Sequence, residues 1–215
     1  MRLLVTAGPT REFLDPVRFL SNRSTGKMGF AVARQAAARG HEVVLVAGPV
    51  SLATPDGVRR VDIVSARDML AAVTAEAPAC DALVMCAAVA DWRPRETAPQ
   101  KLKKRTMPAA LELVPNPDIL LSIAPLKGRR VFVGFAAETN DMLEEAAGKL
   151  ARKGLDLVVA NDVTQRDAGF EADTNRVAFV TPDAAPRMFP LLTKQQVADE
   201  IVAWIERKQA AAHAP

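Results

Sequence analysis

The chain has 215 residues, 49% apolar and 25% charged, enough for the core of one α/β domain. Its net charge of +3 and lack of tyrosine argue against a nucleic-acid-binding surface, and no apolar run reaches the roughly 18 residues of a membrane span. The N-terminal stretch lacks a long apolar segment and a small-residue cleavage site, so no secretory leader is expected.

In chain order, an apolar run at Leu3–Thr6 predicts a first strand. A long polar loop follows, from Gly8 to Thr25. Met28–Arg39 is rich in alanine and stops at Gly40, as a helix does. Glu42–Ala47 and Val61–Val64 read as strands, Arg67–Glu76 as a helix and Ala82–Val89 as a strand ending in small residues. Cys80 and Cys86 sit in or beside that run as reduced core thiols, which predicts a cytoplasmic setting. With only His41 and His213 besides, no transition-metal centre of ordinary composition is expected. A second long loop, about 94–115, carries Lys101, Lys103, Lys104 and Arg105. Strands at Val131–Ala136 and Leu155–Ala160 flank a helix at Met142–Lys153. A strand at Arg176–Val180 and an amphipathic helix at Lys194–Lys208 close a domain spanning 1–209, and the tail Ala210–Pro215 is expected to be disordered. Apolar strands alternating with helices predict an α/β fold: a doubly wound, Rossmann-like, mainly parallel sheet with helices on both faces and a lysine-bearing flap. Ligands in such folds bind beyond the C-terminal strand ends.

Two familiar phosphate motifs fail. A dinucleotide-binding oxidoreductase needs Gly-x-Gly-x-x-Gly in the first strand–helix turn and an acid after the second strand. Here Ser24 replaces the first glycine, the motif lies far past the first strand, and Glu42–Ala47 ends in Gly48-Pro49. A P-loop around Gly26-Lys27 needs glycine at position 21 and a hydroxyl at 28, where the chain has Ser21 and Met28.

The more specific signal is an ordered set of short stretches: TAGPTRE (6–12), LDPVRFLSN (14–22), STGKMG (24–29), GPVSL (48–52), CAAVADWRP (86–94), KLKK (101–104), NPDIL (116–120), GFAAET (134–139) and NDV (161–163). In this set the sequence resembles the phosphopantothenoylcysteine synthetase family over nearly its whole length. Thr25 stands where serine is usual, and Phe19 and Leu20 replace other apolar residues. Many bacterial relatives carry a fused flavin-dependent decarboxylase, and the synthetase half is what this chain resembles.

Local chemistry agrees with the resemblance. Gly26 and Gly29 flank the start of a helix whose first N–H groups and dipole suit an anion, and Ser24 and Thr25 add hydroxyls; an ordinary helix cap is the plain alternative. Asn116 and Pro117 read as the cap and first turn of another helix. The resemblance implies a nucleotide site made by Ser24, Gly26, Met85, Cys86, Ala87, Asp91, Lys101, Pro117, Asp118, Ile119, Leu120, Phe135, Lys149 and Lys153. Asp91 would hold a ribose hydroxyl or a magnesium ion. Lys149 and Lys153, four apart, share a helix face; without the family they would read as surface lysines. Asn22 is implied as the catalytic amide acting on an acyl-nucleotide, where its neighbours alone would suggest a turn asparagine. Arg18 would support this loop or the anionic end of the substrate. Lys101 is implied as the catalytic flap lysine, with Lys103 and Lys104 adding to its field; a solvated basic loop is the alternative.

The reaction implied joins 4′-phosphopantothenate to L-cysteine with CTP through an acyl-cytidylate, with Mg2+ bridging phosphates, in a homodimer. No nucleic-acid or membrane partner is expected. ATP is the alternative nucleotide, and a catalytically silent nucleotide sensor on the same fold is the rival class.

Overall fold

Each central strand is apolar toward both faces, so it needs helices above and below. The computed structural model describes residues 1–105, 110–138, 141–162 and 172–212. Thr139 and Val163 of the motifs above, positions 106–109 of the lysine-bearing loop, His213 and the end of the tail lie outside the described residues. The first half runs β1 (Arg2–Ala7), β2 (Arg11–Phe13), β3 (Phe19–Ser21), α1 (Lys27–Ala38), β4 (Glu42–Ala47), β5 (Val58–Asp62), α2 (Ala66–Glu76) and β6 (Ala82–Met85). Then come β7 (Trp92–Pro94), β8 (Leu113–Pro115), α3 (Ile119–Ile123), β9 (Val131–Glu138), α4 (Met142–Lys153) and β10 (Leu157–Asp162). The chain closes with β11 (Thr174–Asn175), β12 (Val177–Thr181), β13 (Ala184–Met188), β14 (Leu192–Thr193) and α5 (Lys194–Ala212).

The main sheet has the order β13-β12-β10-β9-β6-β1-β4-β5. From β5 to β10 all neighbours are parallel; β12 and β13 join antiparallel at one edge. β1 pairs with β4 on one side and β6 on the other, so the winding reverses there and a crevice opens beyond their C-terminal ends. Alternation along the strands builds two cores. Leu3, Val5 and Leu45 pack beneath Phe30 and Val32 of α1 and Ile201 and Ile205 of α5. Leu4, Val44, Leu83 and Phe132 pack beneath Met69 of α2, Ile123 of α3 and Leu150 of α4.

Several expected boundaries move for physical reasons. β6 stops at Met85 rather than Val89, because side chains, not a neighbouring strand, receive the amides of Cys86, Ala87 and Ala90. The expected strand Val61–Val64 is instead β5, Val58–Asp62, parallel to β4. The strand expected from Leu155 begins at Leu157; Leu155 caps Gly134, where an added Cβ would lie 2.7 Å from its Cδ1. The last helix runs through Ala212, three residues into the expected tail, since Gln209 donates to the Asp81 carbonyl (2.8 Å) and Arg129 to that of Ala212 (2.8 Å). The two long loops hold short antiparallel pairs, β2 with β3 and β7 with β8.

Candidate active site

Three loops meet beyond the C-terminal ends of β1, β6 and β9, and buried hydroxyls fix two of them together. Thr6, fully buried, accepts hydrogen bonds at its Oγ1 from the amides of Cys86 and Ala87, each at 3.1 Å. Thr10, also fully buried, accepts from the amide of Ala90 at 3.0 Å. Ala88 donates its amide to the Gly8 carbonyl (3.0 Å), and its own carbonyl accepts from Asn22 Nδ2 (3.1 Å). The third loop is tied in by Asn116, whose amide nitrogen donates to the Asp91 carbonyl (2.7 Å) and whose Nδ2 donates to the Ala90 carbonyl (2.8 Å). Arg93 donates to Asn116 Oδ1 (3.2 Å) and to the Pro115 carbonyl. Close backbone approach demands glycine at position 48, where a Cβ would sit 1.9 Å from the Pro9 oxygen.

Between these loops and α4 lies a cavity of about 620 Å³, within the usual range for small-molecule sites. Met85, Ala87 and Asp91 line it from the end of β6 onward. Pro117, Asp118, Ile119 and Leu120 line it from the entry to α3, Phe135 from β9, and Lys149 and Lys153 from α4. The cap of α3 is Asp118, not the expected Asn116: its Oδ1 accepts from the Leu121 amide at 3.0 Å. Its other oxygen pairs with Lys153. Burial alone would raise the Asp118 pKa; the Lys153 hydrogen bond, the Leu121 amide and the charges of Lys153 and Lys149 outweigh it, so the net shift is downward. Lys149 Nζ donates to the Phe135 carbonyl at 2.6 Å. The two lysines, with Arg152, bring positive charge to a cavity that Asp91, Asp118 and Glu145 also line.

A smaller space of about 60 Å³ lies on the other side of Phe135, which lines both. The approach to α1 lines it with Ser24, Thr25 and Gly26, and the first turn of the helix with Lys27, Met28 and Gly29. Gly26 caps the helix at φ 79° with no side-chain cap bond. Cys86 also faces this space, and burial pushes its thiol up to about 12. It is therefore a protonated thiol rather than a nucleophile.

Arg18 stands apart from both spaces and organises the loop that carries Asn22. Its Nε (3.0 Å) and Nη2 (2.5 Å) donate to Asp15 Oδ2, and Nη2 also donates to the Leu102 carbonyl (2.9 Å). The fully buried Asp15 further accepts from the amides of Val17, Arg18 and Leu102 at 2.8, 2.9 and 3.2 Å. The Arg18 guanidinium, ahead of those amides, holds the Asp15 carboxyl far below the usual range.

The family described as the DNA/pantothenate metabolism flavoprotein C-terminal domain matches residues 1–208. The chain belongs to this family. It is 50% identical over 184 residues to the coenzyme A biosynthesis bifunctional protein CoaBC of Vibrio parahaemolyticus, covering 84% of the chain and 46% of that protein. To CoaBC of Escherichia coli strain K12 it is 47% identical over 216 residues, covering 97% and 53% respectively. The chain thus spans about half the length of the curated relatives it matches. Among solved structures, the C-terminal domain of a CoaBC superposes with a TM-score of 0.84 at 40% identity, covering 98% of this chain and 96% of that one.

Within this family member, the fold brings most of the expected nucleotide residues to the larger cavity, and Ser24, Gly26 and Cys86 to the smaller one. Asn22 is exposed at the mouth of the crevice, and Lys101, Lys103 and Lys104 are exposed in the loop beyond Pro94; none of these lines either space. Sequence reasoning did not single out Thr6, Thr10, Asp15 or Asn116 as organisers of the site. All four lie inside or beside the recognised motifs, and their being polar at otherwise apolar or turn positions was the available signal. Glu12 is similar: buried, it accepts the Ala66 amide at 2.9 Å and anchors the same loop to α2.

Proposed function

We propose that this chain is the phosphopantothenate–cysteine ligase of coenzyme A biosynthesis, forming 4′-phosphopantothenoyl-L-cysteine with CTP. The observation that carries the reading is the cavity of about 620 Å³ in which Met85, Asp91, Asp118, Phe135, Lys149 and Lys153 converge, one loop away from Asn22. The likeness to the C-terminal domain of CoaBC over nearly its full length supports it. A carboxylate oxygen of 4′-phosphopantothenate attacks the α-phosphorus of CTP, the bond to the β-phosphate breaks, and pyrophosphate leaves. The amine of L-cysteine then attacks the acyl carbon, the acyl–phosphate bond breaks, CMP leaves and the ammonium proton is lost. No protein nucleophile is needed, so positioning and charge stabilisation account for catalysis.

The residues take the roles that their positions allow. Met85 and Ala87 present backbone groups to the base, Phe135 packs against the nucleotide, and Lys149 and Lys153 neutralise it. The Lys153 pair with Asp118 opens to engage a phosphate. Asn22 Nδ2 exchanges the Ala88 carbonyl for the developing oxyanion, and Lys101 supplies charge when its loop closes. Arg18 positions that machinery by joining the Asn22 loop to the base of the flap. Among the described residues no three acidic, histidine or cysteine side chains cluster as a metal site, a donor set that fits magnesium held mainly by phosphates and water, with Asp91 as the cavity carboxylate available to it. Magnesium would supply charge neutralisation on the leaving pyrophosphate.

A homodimer is supported by apolar surface where the β2–β3 and β7–β8 pairs lie against each other: Phe19, Trp92 and Leu113 on the strands and Val17 in the β2–β3 turn are exposed. No described helix is long and apolar enough to cross a membrane. The test is pyrophosphate release with 4′-phosphopantothenate and magnesium, comparing CTP with ATP, with and without L-cysteine. Sustained release that needs CTP and cysteine, with the matching amide, is expected. Release with ATP alone would overturn the choice of nucleotide, and folded protein that binds nucleotide without release would refute the ligase in favour of a sensor.

A further inference from the structure

Lys101 and Asn22 line neither space, yet one hairpin holds both. Its strands β2 and β3 pair over three residues each, with the rings of Phe13 and Phe19 edge to face across it at 5.5 Å. At its base Ser21 Oγ donates to the Thr10 carbonyl (2.7 Å) and Asn22 Nδ2 to that of Ala88, which fixes Asn22 against the cavity loop. At its far end the turn 14–18 grips the flap. The Leu14 carbonyl accepts from the Ala98 amide (2.9 Å), and the Phe13 carbonyl from Thr97 Oγ1 (2.9 Å). Leu102, next to Lys101, is held at both polar groups of its backbone: the amide donates to Asp15 Oδ2 (3.2 Å) and the carbonyl accepts from Arg18 Nη2 (2.9 Å). The two oxygens of Asp15 divide the work. Oδ1 takes the amides of Val17 and Arg18 and shapes the turn; Oδ2 takes the Arg18 fork and the amide of Leu102, 87 residues later in the chain. An exposed asparagine or serine would suffice to shape a turn. A carboxylate with no exposed surface is costly unless its oxygens are fully used, and the use that a turn alone does not require is the hold on Leu102.

We infer that Asp15 is a positioning residue of the proposed ligase: through Oδ2 it ties the backbone beside Lys101 to the hairpin that carries Asn22, so that the flap lysine and the Asn22 amide are held as one body. This rests on the ligase reading and adds to it a group that touches no substrate. Lys101 acts on the charge of the departing pyrophosphate and Asn22 on the oxyanion at the acyl carbon, so the two half-reactions share one mount. Asparagine at position 15 would keep an oxygen for the amides of Val17 and Arg18. It would set an N–H2 group against the Leu102 amide and the Arg18 guanidinium, where donor meets donor. The substitution therefore spares the turn and breaks the tie.

The test compares Asp15→Asn and Lys101→Ala, alone and together, with the parent in single-turnover pyrophosphate formation, steady-state amide synthesis and limited trypsin digestion. In Asp15→Asn both half-reactions should slow together by about 10- to 100-fold, the loss expected when a group is misplaced by about 1 Å. KM for CTP, set by the larger cavity, should hold. In the Lys101→Ala background Asp15→Asn should slow pyrophosphate formation no further, because the group it positions is gone; effects that multiply overturn the inference. Trypsin should cut Asp15→Asn faster after the exposed Lys101, Lys103, Lys104 and Arg105 while its circular dichroism is unchanged. A loss of global stability would instead spread new cuts over the whole chain. Equal cleavage and equal turnover in folded Asp15→Asn overturn the inference. If that variant does not fold, Thr97→Val removes the neighbouring strap at an exposed residue. Faster flap cleavage and slower turnover are expected of it, and parent-like behaviour in both overturns the inference. A parent that makes no amide refutes the ligase reading, while faster flap cleavage in Asp15→Asn still upholds the tie. A parent that makes the amide, matched by Asp15→Asn in rate and cleavage, refutes the tie alone.

Discussion

Replacing Thr6 by valine keeps the shape of the side chain and deletes one oxygen. That oxygen receives two amide hydrogen bonds at 3.1 Å, from Cys86 and Ala87, on a residue with no exposed surface. At about 1 kcal/mol of net stability per hydrogen bond, Thr6→Val should cost about 2 kcal/mol, and more where an amide is left dry. For a chain of this length that is a fall in Tm of about 4–8 °C. Thr6→Ser keeps the acceptor and loses one methyl, about 0.8 kcal/mol. Urea unfolding of the three proteins, with nucleotide affinity measured in parallel, isolates the oxygen. Nucleotide affinity should fall in Thr6→Val and hold in Thr6→Ser, because the loop held by the oxygen lines the larger cavity. Equal stability and equal affinity in both variants would show that these hydrogen bonds do not position the loop.

Asn22→Asp should bind nucleotide as the parent does and lose amide formation; turnover at the parent rate would remove Asn22 from the chemistry. The depressed pKa of Asp15 makes its contribution full above the ordinary value of 3.8 and lost as pH falls through the lower folded value. Asp15→Asn should therefore be less stable than the parent near neutrality and show a flatter acid limb, followed by circular dichroism from about pH 6 to pH 2; parallel acid curves would contradict this. Gly48→Ala places a methyl 1.9 Å from a backbone oxygen that has no side-chain freedom to yield. It should destabilise by about 3 kcal/mol or more, or prevent folding, as read by denaturant titration.

The strand–helix alternation was legible because each run carries its own pattern: Glu42–Ala47 was expected and found as β4. Ends were harder where the deciding partner is remote. β6 ends where Thr6 and Thr10, 80 residues earlier, take over the amides, a relation that a local window cannot contain. Asn116 and Asp118 are both good caps by type. Which one caps is decided by Asn116 being drawn away to Ala90 and Asp91. Nucleotide residues were named through resemblance, since Phe135 or Lys149 alone reads as core or surface.

The central position of β1 also bears on how the chain is made. β1 is translated before both of the strands that flank it in the sheet, β4 at Glu42–Ala47 and β6 at Ala82–Met85. At about 5–20 residues per second, several seconds of synthesis separate β1 from a sheet that can hold it. During that interval its apolar residues depend on transient cover, such as α1 folding back upon it or a chaperone. Slowing the ribosome between codons 47 and 82 should therefore lower soluble yield more than slowing it after β6, when the centre of the sheet is already assembled.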